Sequence, residues 1–185
     1  MTERRRKRRK VYNEPGHAHF LTYSCQGRRP LLTKDRTRRW VIEAIQSVRQ
    51  VHDLELYAYV IMPEHVHLLI RPRRSPYDVS AILYDLKRPV AWKAKAWLKE
   101  TGRQDWLRRL TVRQGKRQVF HFWLPGGGFD RNIWNDKPVR QICEYIEANP
   151  VRRGLVEKAT DWLWSSARFR AGLDGCLLVP DRLPE

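Results

Sequence analysis

The sequence predicts an α+β domain in which helices pack on an antiparallel sheet. Three observations predict it. Residues 18–25 alternate and are rich in aromatic and β-branched side chains, which is the pattern of a strand. Two apolar runs, residues 54–61 and 65–70, are separated only by Met62-Pro63-Glu64, and strands joined so tightly pair antiparallel. Apolar residues also recur with a helical period, first at Val41, Ala44, Ile45 and Val48, then at Val79, Ile82, Leu83 and Leu86. The resulting order is strand, helix, strand, strand, helix.

Composition limits what such a domain does. At 185 residues the chain fits one domain, which we divide into a basic arm (residues 1–12), a folded domain (13–172) and an extended C-terminal tail (173–185). Hydrophobic residues make up 42%, enough for a core, yet 37 Lys and Arg stand against 20 Asp and Glu, a net charge of +17. Such an excess on a foldable chain points to a polyanion, nucleic acid before an anionic membrane surface. No apolar run is long enough to span a bilayer, and the basic N-terminus is not followed by the apolar stretch of a secretory signal. Cys25, Cys143 and Cys176 are widely spaced and odd in number, which suits a reducing cytoplasm and no zinc-ligand pattern. Association with the nucleoid is the corresponding expectation.

The elements follow in order. Arg4, Arg5, Arg6, Lys7, Arg8, Arg9 and Lys10 are consecutive. Mutual repulsion makes them a flexible arm, either solubilising or, as the basic domain behind it favours, phosphate-binding. The first strand carries His17 and His19 near its entry, read as structural or incidental, with His19 as the lesser candidate to approach the site. Thr33 is placed to cap the first helix. The second helix contains Pro89, which should kink or break it, and its exposed residues Lys87, Arg88, Lys93 and Lys95 form either a solvated face or one that follows a DNA backbone. Residues 106–112 and 119–124 flank Arg113-Gln114-Gly115-Lys116 and read as a further hairpin. Pro125-Gly126-Gly127-Gly128 lacks the Gly-Lys-Ser/Thr ending of a phosphate-binding loop. It reads as a flexible connection, with Arg131 and Lys137 after it available to DNA. The last long helix opens at Pro138. Trp162 and Trp164 pack back on the domain more readily than they stack a base, and residues 173–185 are expected to be extended or frayed.

Two features carry chemistry. On the strand at 65–70, side chains alternate between faces, so His65, His67 and Leu69 share one face while Val66, Leu68 and Ile70 share the other. Two imidazoles side by side can fill two positions around a divalent cation, although a His-x-His pair alone is more often two half-exposed polar positions. On the last helix Val139, Ile142, Cys143 and Ile146 form the apolar stripe, with Tyr145 on its flank and Asn149 one turn further. Tyr145 reads as a rigidly held hydroxyl or as an ordinary rim residue, and Asn149 as a metal donor or as a cap before Pro150.

Taken together, residues 59–68 (YVIMPEHVHL) and 145–156 (YIEANPVRRGLV) resemble the REP-associated tyrosine transposases of the single-tyrosine HUH endonuclease superfamily. Residues 16–22 (GHAHFLT) and 164–167 (WSSA) are similar to that family as well, so the resemblance covers residues 15–170. It implies a ferredoxin-like sheet and a catalytic domain that cleaves and rejoins single-stranded DNA at imperfect, REP-like hairpins. It also implies a covalent 5′-phosphotyrosine intermediate, with Tyr145 as the nucleophile and Mg²⁺ or Mn²⁺ bound by His65, His67 and Asn149. The paired-tyrosine relatives match poorly, because the position one turn after Tyr145 is Asn149. No general base for Tyr145 is evident, and a monomer or a homodimer is expected. Two other classes stay open: a non-catalytic binder of structured DNA or RNA, and a metal-dependent nuclease using water.

Overall fold

The computed structural model describes residues 13–135 and 137–184; the basic arm, Arg4 to Lys10 included, lies outside them. The chain runs β1 (Ala18–Ser24), α1 (Asp35–Val51), β2 (Leu54–Ile61), β3 (His65–Pro72), α2 (Val79–Glu100), α3 (Gln104–Leu110), β4 (Thr111–Gln114), β5 (Arg117–Phe120), β6 (Phe129–Ile133), α4 (Lys137–Glu147), α5 (Asn149–Arg152) and α6 (Ala167–Arg170). The main sheet has the order β2-β3-β1-β6 with antiparallel neighbours throughout. A β-α-β-β-α-β succession with this order is the ferredoxin-like arrangement.

Each face of the sheet supports a core, because alternate residues of a strand point to opposite sides. On one face Val66, Leu68 and Ile70 of β3 pack with Ile45 and Val48 of α1 and Leu83 and Leu86 of α2. On the other, Leu69 packs with Val139, Ile142, Cys143 and Ile146 of α4. That second face also carries His65 and His67. A bulge between Leu56 and Ala58 changes which residues of β2 face which core: Leu54 and Leu56 before it, and Tyr59 and Ile61 after it, all face α1 and α2.

Several expectations need correction. α1 starts after Lys34 rather than Thr33, and its cap makes no side-chain bond; Thr37 Oγ1 donates instead to the Lys34 carbonyl. Pro89 lies inside an unbroken α2. The ring removes one donor, but buried Leu86 and Val90 on either side hold the helix against the core. Residues 106–110 are helical, with Arg108 and Asp105 paired one turn apart, so only the shorter pair β4–β5 remains of that expected hairpin.

The glycine run is built rather than slack. At Gly128 the backbone has φ +73°, and a Cβ would lie 2.2 Å from the Thr22 carbonyl oxygen. Only glycine fits there, and the close approach delivers the chain into β6, the strand that the sequence reading missed. The tail is extended but not frayed: Asp181 N donates to Leu56 O, and Leu56 N donates to Asp181 Oδ2. Ser165 forms a bridge with Val60, so the C-terminal segment covers the outer edge of β2 that would otherwise invite pairing with another chain. Trp164 is buried, and Trp162 Nε1 donates to the Ile61 carbonyl, as the packing expectation required. No helix among the described residues is long and apolar enough to cross a membrane.

Candidate active site

The β2–β3 turn brings His65 and His67 to the start of β3, and α4 crosses the same face of the sheet. The two Nε2 atoms lie 3.0 Å apart. Each ring is held from its other nitrogen: His65 Nδ1 donates to Glu64 Oε1 at 3.1 Å, and His67 Nδ1 meets the Thr22 hydroxyl at 2.7 Å. Thr22 reaches His67 because β1 and β3 pair in the register Thr22↔His67. Such partners fix ring orientation and present the remaining nitrogen outward. Burial pushes both imidazoles below their ordinary range, His67 down to about 3, helped by the neighbouring His65. Both are therefore neutral and able to ligate.

Tyr145 takes the border position that the helical wheel assigns it. Tyr145 is 41% exposed while Val139, Ile142, Cys143 and Ile146 are buried. Its ring stacks edge-on against His67 (6.0 Å between centroids) and Phe20 (5.9 Å), and the Arg152 guanidinium lies 4.8 Å from the ring centre. Asn149 departs from the expected edge position, being only 8% exposed. Its Nδ2 donates to the Tyr145 carbonyl at 2.9 Å, so the amide caps the end of α4. That bond leaves Oδ1 for a further partner.

A cleft of about 390 Å³ joins these groups. Thr22, Ser24, Glu64, His65, His67, Tyr145 and Asn149 line it together with three cations, Arg28, Arg152 and Arg153. Arg153 also pairs with Glu64 at 2.9 Å, tying α5 to the histidine turn. These basic residues were not singled out from sequence, although Arg152 and Arg153 lie inside the second motif.

The spacing of the two imidazole donors fits an octahedral divalent cation. For bonds of about 2.1 Å at right angles, neighbouring donors of an octahedral ion stand about 3 Å apart, the spacing of the two Nε2 atoms. No group of three His, Cys, Asp or Glu able to hold a metal occurs among the described residues. A third protein donor would therefore be an amide or hydroxyl oxygen, and Asn149 is the amide lining the cleft. His65, His67 and Asn149 are the residues that could hold the ion.

Over residues 12–149 the chain matches the family model described as transposase, IS200 like. The chain belongs to that family. It is 26% identical over 157 residues to the REP-associated tyrosine transposase of Escherichia coli K12, across 84% of this chain and 79% of that one. A Haemophilus influenzae relative is 26% identical over 143 residues, covering 74% of this chain and 76% of its own. Among solved structures, a REP-associated tyrosine transposase bound to a REP hairpin superposes with a TM-score of 0.65 and 23% identity. That match covers 97% of this chain and 94% of the other and establishes the shared fold. This chain is thus an IS200-like transposase.

The remaining basic candidates of the family member divide by face. Arg131 is exposed and stands opposite Phe20 in the β1–β6 pair, so it lies on the face of the cleft. Lys87 and Arg88 lie on α2, across the sheet from it. Lys87 Nζ donates to the carbonyls of Leu124 (3.0 Å) and Gly126 (2.7 Å), and burial lowers its pKa. It braces the loop before β6. Arg88 stacks between Tyr84 and Trp92. His19 is buried on the α1–α2 face, where Nδ1 donates to Asp130 Oδ1 at 3.0 Å. It and His17, which accepts from Asn132 Nδ2, are structural. His121 contacts Gln114 beside β4, outside the cleft.

Proposed function

We propose that this transposase cleaves and rejoins single-stranded DNA beside imperfect, REP-like hairpins, with Tyr145 as the nucleophile and Mg²⁺ or Mn²⁺ held by His65, His67 and Asn149. The convergence of the two Nε2 atoms, 3.0 Å apart, beside the Tyr145 ring is the observation that carries the reading. A REP hairpin is the DNA bound in the solved relative, which makes hairpin DNA the natural partner to test.

In the proposed step the Tyr145 oxygen attacks a backbone phosphorus and the bond to the 3′ oxygen breaks. The departing 3′ oxygen gains a proton as the phenol loses one, and the 5′ phosphate stays on the tyrosine. Because the phosphoester is conserved, a 3′-OH can reverse the step without ATP. A bound cation would supply positive charge beside the scissile phosphate. Arg28, Arg152 and Arg153 would hold the neighbouring phosphates, while Thr22 and Glu64 keep the imidazoles in place. We place the activity at the nucleoid in the cytoplasm, by a monomer or homodimer.

The test uses hairpin DNA labelled at its 3′ end and incubated with Mg²⁺, with Mn²⁺ or with EDTA before denaturing electrophoresis. The expected product is labelled DNA retarded by the 22.2 kDa chain, dependent on metal and absent with EDTA. Cleavage without an adduct would select a water-using nuclease. Binding with neither would select a non-catalytic binder.

A further inference from the structure

A second cavity, of about 510 Å³, opens on the other side of the sheet, between the start of α1 and the end of α2. Its walls include the indoles of Trp40, Trp97 and Trp106 and the basic side chains of Lys34, Arg36 and Arg103; no carboxylate lines it among the described residues. The Arg36 guanidinium lies over the Trp97 ring at 3.6 Å, and none of the three cations makes an ion pair among the described residues. Its volume falls within the few hundred Å³ typical of small-ligand sites. Flat aromatic walls with unpaired cations at the rim suit a nucleobase and its phosphate: bases stack on indole and guanidinium planes, and the phosphate takes the charge.

Position connects this cavity to the cleft. The segment before α1 contributes Arg28 to the cleft and Lys34 to the cavity. Six residues reach at most about 20 Å even when extended, so the backbone positions serving the two sites lie no further apart than that, although the sites open on opposite sides of the sheet. Leu32 N also donates to the Pro63 carbonyl at 2.8 Å, which fastens this segment to the turn that presents His65.

We infer that the tryptophan cavity binds one unpaired base of the same DNA strand whose scissile phosphate occupies the cleft, and so contributes affinity for single-stranded DNA outside the hairpin. The inference rests on the DNA-cleaving reading above for its choice of strand. It concerns a different site, so the two can fail separately.

The test combines ¹⁹F NMR of protein carrying 5-fluorotryptophan with binding to hairpin DNA whose single-stranded flank has one abasic position, moved stepwise. Trp106 and Arg36 are exposed, so the variant Trp106→Ala/Arg36→Ala is expected to fold, with its melting curve as the check; Trp106→Phe provides a conservative control. In the wild type the Trp97 and Trp106 resonances should shift with DNA, and one abasic position should weaken binding about tenfold. In the double variant the same abasic position should cost less than about twofold, and Trp106→Phe should restore most of the difference. No shift with DNA, or no flank position coupled to the variant, overturns the inference. So do resonances that move with the mononucleotide dAMP but not with DNA, which would make the cavity a free-nucleotide site. Loss of the covalent adduct with the shifts and the coupling intact would overturn the cleavage reading and leave the cavity standing.

Discussion

Tyr145 shows how much depends on one border position. Its backbone belongs to a helix fastened by four buried apolar side chains, while its ring is exposed and steadied by Phe20, His67 and Arg152. Tyr145→Phe removes only the hydroxyl, so we expect DNA binding within about twofold of wild type and no adduct. Mass spectrometry of the denatured complex checks this, and an adduct on Tyr57 or Tyr59 would defeat the assignment. Asn149 has two tasks that can be separated. Its Nδ2 caps α4, and under the proposed function its Oδ1 serves the ion. Asn149→Ala should cost about 1 kcal/mol of stability for the lost hydrogen bond to the Tyr145 carbonyl and should also raise the metal concentration that half-saturates cleavage about tenfold or more. If Asn149 is only a cap, metal titration will give the same midpoint in both proteins.

Among elements, β3 has the sharpest division of labour, since both of its faces are covered but by different chemistry. Val66 is buried in the core under α1 and α2, whereas His65 lines the cleft. Val66→Asp should leave the sheet unfolded, because it buries a charge without a partner. His65→Ala should leave the melting temperature within a few degrees of wild type and abolish cleavage; circular dichroism beside the gel assay separates the two. α4 depends in turn on the C-terminal segment. The buried Glu147 carboxylate accepts from Ser166 Oγ at 2.6 Å and from Arg170 Nε at 3.0 Å, and Arg170 Nη2 donates to the Tyr57 carbonyl. This network joins the helix of Tyr145 to α6 and to β2. Arg170→Leu strands a buried carboxylate, and we expect a loss of about 2–3 kcal/mol in urea denaturation, the partial exposure of Arg170 keeping it at or below the lower end for buried pairs. Glu147→Gln/Arg170→Leu should recover part of that loss.

At the scale of the whole molecule, charge governs affinity more than any single contact. Each phosphate neutralised on a single strand contributes a slope of about −0.7 in log K against log salt. Deleting residues 1–10 removes seven cations and should flatten the slope by an amount equivalent to about three to five contacts. The cleavage rate at saturating DNA should stay nearly unchanged, because none of the residues to which the chemistry is assigned belongs to the arm. Filter binding across a salt series measures the first quantity and single-turnover cleavage the second. An unchanged slope would make the arm a solubilising tail.

Periodicity alone determined which residues share a face: Val66, Leu68 and Ile70 against His65, His67 and Leu69, and the stripe of α4 with Tyr145 beside it. These depend only on the repeat of a strand or helix, which is local. The motifs around His65 and Tyr145 were enough to indicate the transposase family. What the tertiary structure decided lies between elements. Thr22 anchors His67 only through the β1–β3 register, and Arg28 reaches the cleft only because its loop is fastened near Pro63. β6 was hidden because its five residues carry little alternation and owe their extended form to pairing with β1. That Lys87 holds the carbonyls of Leu124 and Gly126 follows from the loop at 124–126 folding back on α2. Long-range pairing and burial set each of these outcomes, and neither leaves a mark within the few residues over which a sequence pattern is read.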